Sequence, residues 1–166
     1  STHILCIDSD MGWDPFAPIK LLKHEKDIIC GLYPCRSYDD QYNYAFHPVE
    51  KDIVKTAELH KILYAPFGFI LVSKKALLQM QKFYPNLYYV SCGNQEGYGF
   101  CTLENINGKY FGEDYTFCHR AREAGLEIWC DPNVTLTHLG KKGNFYEVLQ
   151  NDYNVLGDEY EIYSPR

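Results

Sequence analysis

The stretch Ile4-Leu5-Cys6-Ile7-Asp8-Ser9-Asp10-Met11-Gly12-Trp13 governs how the rest of the sequence is read. Its four consecutive apolar residues, rich in β-branched side chains, predict a strand buried on both faces. The strand runs directly into Asp8-Ser9-Asp10, and an i, i+2 spacing leaves both carboxylates on one side of an extended backbone. Like charges held that close need a cation between them, or one must take up a proton. At the carboxyl end of a buried strand, where open α/β sheets bind their ligands, a cation is the expectation. The competing role is that of turn or N-cap residues ahead of a helix from Pro15 to His24. Asp14-Pro15 already supplies that cap.

The 166 residues suit one domain with a substantial core, and 46% hydrophobic with 23% charged residues describe a soluble globular chain. A net charge of −6, with no run of Lys or Arg, argues against nucleic acid as a partner. An acidic chain that binds a phosphorylated ligand needs a cation to offset repulsion, and Asp8 and Asp10 are where one would sit. No apolar stretch approaches the ~20 residues that span a bilayer. Cys6, Cys30, Cys35, Cys92, Cys101, Cys118 and Cys130 are scattered without a CxxC pair, which leaves a zinc cluster without support. Free thiols at apolar positions imply a reducing, cytoplasmic setting, with Cys92 and Cys101 the one pair placed to bridge.

Periodicity divides the remainder. Pro15 to Lys23 carries Phe16, Ile19 and Leu22 on one face and predicts a helix. Asp27 to Tyr33 is a second buried strand stopped by Pro34, and the strand–helix–strand order predicts a parallel pair with a crossover. From Cys35 to Ala65 the pattern is irregular, with edge strands expected around Tyr42 to Phe46. Ala65 to Ser73 is a third strand, and Ser73 caps a helix through Lys82 that sets Ala76, Leu77 and Met80 on one side. Leu87 to Val90 is a short strand, Cys92 to Gly108 a glycine-rich loop, and Gly112 to Ala124 a helix stopped by Gly125. Strands at Leu126 to Cys130 and Val134 to His138 flank Asp131-Pro132-Asn133, and a helical turn is expected near Phe145 to Gln150.

Two further clusters carry chemistry. Gly112-Glu113-Asp114 opens a helix, where the dipole favours ionised carboxylates. Asp131-Pro132 leads, through a strand, to His138-Leu139-Gly140. Each alone fits a structural role. Together with Asp8-x-Asp10 and Pro66-Phe67-Gly68-Phe69, and in this order, they resemble the GT-A class of nucleotide-sugar glycosyltransferases, nearest its Anp1-like and galactosyltransferase-like members.

The resemblance covers Ile4 to Gly140 and implies a GT-A-like α/β fold, a mixed, mostly parallel sheet flanked by helices, in one domain over 1–166. It implies that Asp8, Ser9 and Asp10 form the donor and metal motif, with Asp10 on the ion and Asp8 on ribose, sugar or the ion through water. His138 would be a further metal ligand, and carboxylate, imidazole and diphosphate donors suit Mn²⁺ or Mg²⁺. Asp114 would be the base of an inverting transfer, and Glu113 would hold the acceptor or orient Asp114. Phe67 and Gly68 would lie beneath the donor sugar, Gly68 alternatively marking a strand bulge, and Lys141 with Lys142 would reach the diphosphate. Trp13 and the Tyr-rich segments would stack on sugar rings.

The implied partners are a nucleoside-diphosphate sugar and a hydroxyl acceptor on a glycan, glycolipid or protein. Family members carry an N-terminal α/β half that holds the base, and only Ser1-Thr2-His3 precede the first strand here. The expectation is a fragment of a longer enzyme. Two alternatives stay open. One is a non-catalytic carbohydrate-binding module with a decayed transferase fold. The other is a haloacid-dehalogenase-type phosphatase, although Met11-Gly12 stands where that class carries Thr or Val.

Overall fold

The apolar runs do become strands, but not neighbours in a parallel sheet. The computed structural model describes residues 1–33 and 58–139, with two further short strand segments at 47–48 and 145–147. In chain order these are β1 (His3–Ile7), β2 (Met11–Gly12), α1 (Ala17–Lys23), β3 (Ile28–Leu32), β4 (His47–Pro48), β5 (His60–Tyr64) and β6 (Phe69–Ser73). There follow α2 (Lys74–Phe83), β7 (Tyr88–Val90), β8 (Glu96–Tyr98), β9 (Glu104–Ile106), β10 (Lys109–Phe111), α3 (Glu113–Glu123), β11 (Ile128–Thr135), β12 (Thr137–Leu139) and β13 (Phe145–Glu147).

The main sheet has the order β1-β6-β3-β11-β5-β4. Only β3 and β11 pair in parallel, and every other neighbouring pair is antiparallel. The expected mostly parallel sheet is therefore corrected to a mixed, largely antiparallel one. The β1–β3 parallel pair is corrected too, because β6 lies between them. Nor is β1 buried on both faces: it borders the sheet, and Ile4 is 51% exposed. An apolar run reports burial, not which strand lies alongside, and β6 is the more apolar claimant to the interior position.

Successive side chains of β3 face opposite ways. Ile28, Cys30 and Leu32 join Ile70, Val72, Met80 and Phe117 on the side of α2 and α3. Ile29 joins Phe69, Leu71, Ala17 and Leu21 on the side of α1. Each large aliphatic chain so buried contributes about 1.5–3 kcal/mol. The helix α1 docks through Ala17 and Leu21, so Phe16, Ile19 and Leu22 face outward, with Phe16 69% exposed. In α2, Ser73 accepts a hydrogen bond from the Ala76 amide (2.9 Å) and caps the helix as expected. Gly125, at φ +82°, ends α3 in the left-handed conformation that glycine tolerates.

Three local expectations change. The Cys92–Gly108 loop holds β8 and β9, paired with β7 and β10 respectively. Asn107 and Gly108 form the two-residue turn of the β9–β10 hairpin, both at positive φ. Asp131-Pro132-Asn133 lies inside β11, where the pairing with β3 shifts register instead of ending. Phe145–Glu147 is a strand against β12, not a helical turn. The edge strands expected at Tyr42–Phe46 fall outside the described residues. Cys92 and Cys101 are free thiols, so the bridge between them is absent. No helix among the described residues is long and apolar enough to cross a membrane.

Candidate functional site

Asp8 follows the last residue of β1, and its amide donates to the Gly68 carbonyl (3.1 Å), carrying the β1–β6 ladder one bond further. The chain then reverses: the Met11 amide donates to the Asp8 carbonyl (3.2 Å), closing a turn over Ser9 and Asp10. The extended geometry expected for Asp8-Ser9-Asp10 is thus replaced by a turn, and the two carboxylates are not aligned along one strand face. Asp8 and Ser9 are exposed while Asp10 is half-buried.

The turn has a second consequence. It delivers Met11 and Gly12 to a separate small sheet, where β2 pairs with β12 and His138 lies opposite Met11. The Leu139 amide donates to the Asp10 carbonyl (2.9 Å), which draws the two segments together beside the carboxylate. As a result His138 Nε2 stands 3.7 Å from Asp10 Oδ2, with both side chains largely shielded from solvent. Sequence positions far apart are brought together here by strand pairing that no local pattern encodes.

Asp114 arrives from the other side of the main sheet, in the first turn of α3. Its Oδ1 accepts a hydrogen bond from the Tyr115 amide (2.8 Å). Burial pushes its carboxyl above the ordinary carboxylate range; the Tyr115 amide pulls it back, and the Glu113 and Asp8 charges push it up again. Asp8 and Asp114 are therefore within electrostatic reach of one another. Glu113 is exposed beside them.

Other expected site residues are placed differently. Phe67 sets its ring edge-on against Phe117 of α3 (centroids 5.0 Å apart), so it belongs to the core of that face. Gly68 is buried, and a Cβ there would stand 2.2 Å from Tyr33 Oη. The volume that a side chain at position 68 would take is occupied by Tyr33, and the β1–β6 register ends just beyond Gly68, at the pair Ile7 and Phe69. Trp13 is exposed, with its ring 6.0 Å from that of Phe69. Lys141 and Lys142 lie outside the described residues.

Tyr33 is the residue the sequence reading passed over. It is 4% exposed, its hydroxyl accepts the Gly68 amide (2.9 Å), and its ring meets that of His138 edge to face (5.5 Å). The available signal was a polar-tipped aromatic closing an otherwise aliphatic strand, which when buried needs a hydrogen-bond partner.

The donor set fits a hard or borderline divalent cation: one carboxylate and one imidazole adjacent, with a second carboxylate on the same turn. Among the described residues, no three or more His, Cys, Asp or Glu side chains gather closely enough to hold an ion unaided. Magnesium-type sites commonly take one or two carboxylates from the protein and the remainder from substrate phosphates and water.

No family model matches the chain, and no curated protein matches it. Among solved structures it is similar to the crystal structure of A197 from STIV, at 13% identity and a TM-score of 0.47. That match covers 89% of this chain and 66% of the other. At this level of similarity it assigns neither a fold family nor an activity.

Proposed function

We propose that the chain is a metal-dependent glycosyltransferase of the GT-A type, moving a sugar from a nucleoside-diphosphate donor to a hydroxyl acceptor. The observation that carries this reading is the 3.7 Å approach of His138 Nε2 to Asp10 Oδ2 beside a turn that also presents Asp8. Asp114, whose carboxyl is raised by burial and further by the Glu113 and Asp8 charges, adds a carboxylate of a different character.

Asp10 and His138 would hold Mn²⁺ or Mg²⁺, with Asp8 on the ribose or sugar of the donor. Such an ion, when bound, neutralises a diphosphate leaving group. Asp114 acts on the acceptor. Its raised affinity for a proton makes it a better base than a fully solvated aspartate, and the acceptor hydroxyl grows more acidic as it attacks. In the transfer, the bond from the anomeric carbon to phosphate oxygen breaks, the bond to the acceptor oxygen forms, and Asp114 takes the acceptor's proton. Glu113, exposed next to Asp114, orients the acceptor. Attack opposite the leaving group inverts the anomeric centre.

The test is calorimetric titration with UDP and GDP in Mn²⁺ and then in EDTA, on the wild type and Asp10→Ala. Binding that requires the metal and disappears in Asp10→Ala is the expected result, and the nucleotide that binds identifies the base. Sugar binding indifferent to EDTA would favour the non-catalytic carbohydrate module instead.

A further inference from the structure

Two arms of the candidate site, Gly68–Asp8 at the end of the main sheet and His138–Asp10 at the small sheet, are touched by one side chain. The Tyr33 hydroxyl accepts the Gly68 amide (2.9 Å), and the Gly68 carbonyl in turn accepts the Asp8 amide (3.1 Å). The edge of the same ring lies against His138 at 84° and 5.5 Å. The ring is wedged, since it occupies the volume that any side chain at position 68 would need.

We propose that Tyr33 is a positioning residue of the site. Its hydroxyl fixes the Gly68 peptide that carries Asp8, and its ring holds the His138 imidazole beside Asp10. One buried phenol thereby sets the distance between the donor-binding and metal-binding arms. The role as stated rests on the glycosyltransferase reading, but the mechanical coupling does not.

Geometry makes tyrosine suited to this place: its hydroxyl accepts the Gly68 amide while the edge of its ring meets His138. Phenylalanine would fill the space but leave the Gly68 amide buried without its acceptor. The aromatic edge also offers His138 a contact that a flexible aliphatic chain does not fix in orientation.

The experiment compares wild type, Tyr33→Phe and Tyr33→Leu in two measurements. The first is amide hydrogen exchange by NMR without metal. Tyr33→Phe should accelerate exchange at Gly68 and Asp8 by about tenfold more than at Ile29 in the core of β3. Equal acceleration at all three sites would mean a general loss of stability and would overturn the coupling.

The second measurement is Mn²⁺ affinity by water-proton relaxation, with MnCl₂ as the probe in the presence of UDP or GDP, whose diphosphate completes the ligand set. Tyr33→Phe keeps the ring against His138 and should bind within about twofold of wild type, whereas Tyr33→Leu should bind about tenfold more weakly. If Tyr33→Leu, folded by circular dichroism, holds Mn²⁺ as well as wild type, the ring does not position His138. Wild type that retains no Mn²⁺ would overturn the transferase reading, while the exchange result would still decide the coupling.

Discussion

Asp27, just ahead of β3, and Asp114, in the first turn of α3, lie toward opposite ends of strands β1, β6 and β3, and their surroundings differ in kind. Asp27 accepts hydrogen bonds from Ser73 Oγ (2.7 Å) and Lys75 Nζ (2.6 Å). Burial works to raise its carboxyl, and those two donors outweigh it, leaving Asp27 below the ordinary carboxylate range. Asp114 moves the other way: burial raises it, only amides oppose, and its charged neighbours are Glu113 and Asp8. At the far end the Asp27 charge is matched by Lys75. At the site end acids have been gathered without a cation among the groups that shift Asp114, which costs stability and is expected where a ligand supplies the missing charge.

The largest effect expected from this contrast is on activity. Under the proposed reading, Asp114→Asn should lower transfer by about 10²–10⁴-fold while donor and Mn²⁺ binding stay within about twofold. Single-turnover transfer rates beside calorimetric binding would check it. Intact transfer rates would remove Asp114 as the base and leave the contrast purely structural. Next in size is Gly68→Ala, whose new Cβ meets the buried Tyr33 side chain at 2.2 Å from Oη and 2.5 Å from Cζ, so that the ring must shift within the core. Overpacking of this kind should cost about 2–3 kcal/mol in urea unfolding. A neutral substitution would show that the site end is looser than its geometry.

Much of the matched end was legible in the sequence. Ile28-Ile29-Cys30-Gly31-Leu32 and Phe69-Ile70-Leu71-Val72 announce buried strands by composition alone, and Ser73 announces the cap of α2. What composition does not carry is adjacency. The insertion of β6 between β1 and β3, and the pairing of β2 with β12 that brings His138 to Asp10, are long-range choices made by the whole core. The α1 face fails for another reason: Phe16, Ile19 and Leu22 repeat as regularly as a core stripe would, yet Ala17 and Leu21 are the residues that dock. Asn107-Gly108 was a readable hairpin signal hidden in a segment otherwise resembling a loop.

A smaller effect probes the matched end. Asp27→Asn should destabilise the protein by about 0.5–1 kcal/mol at neutral pH, because solvent screens the exposed Lys75 and limits what the pair contributes. The sign follows from the depressed folded value. Asp27 contributes stability above the unfolded value, and that contribution is lost as pH falls through the folded one. Wild type and Asp27→Asn should therefore converge on acidification, as read from urea midpoints at several pH values. A gap that persisted in acid would assign the loss to packing instead of charge.

The smallest effect is the most discriminating, because it has the opposite sign. Asp114→Asn keeps the shape and an oxygen for the Tyr115 amide but removes a charge that Glu113 and Asp8 oppose. With the group half-exposed and screening discounting most of the repulsion, the variant should gain only about 0.5 kcal/mol at neutral pH. The folded carboxyl is raised, so the native state binds more protons than the unfolded chain between the ordinary value and the raised one. Wild-type stability should therefore fall as pH climbs through that window, and the advantage of Asp114→Asn should open over the same interval. Should Asp114→Asn instead lose stability as Asp27→Asn does, Asp114 would be an ordinary helix N-terminal acid served by the dipole. A gain in stability with a loss of transfer is the outcome expected of a carboxylate retained for its chemistry.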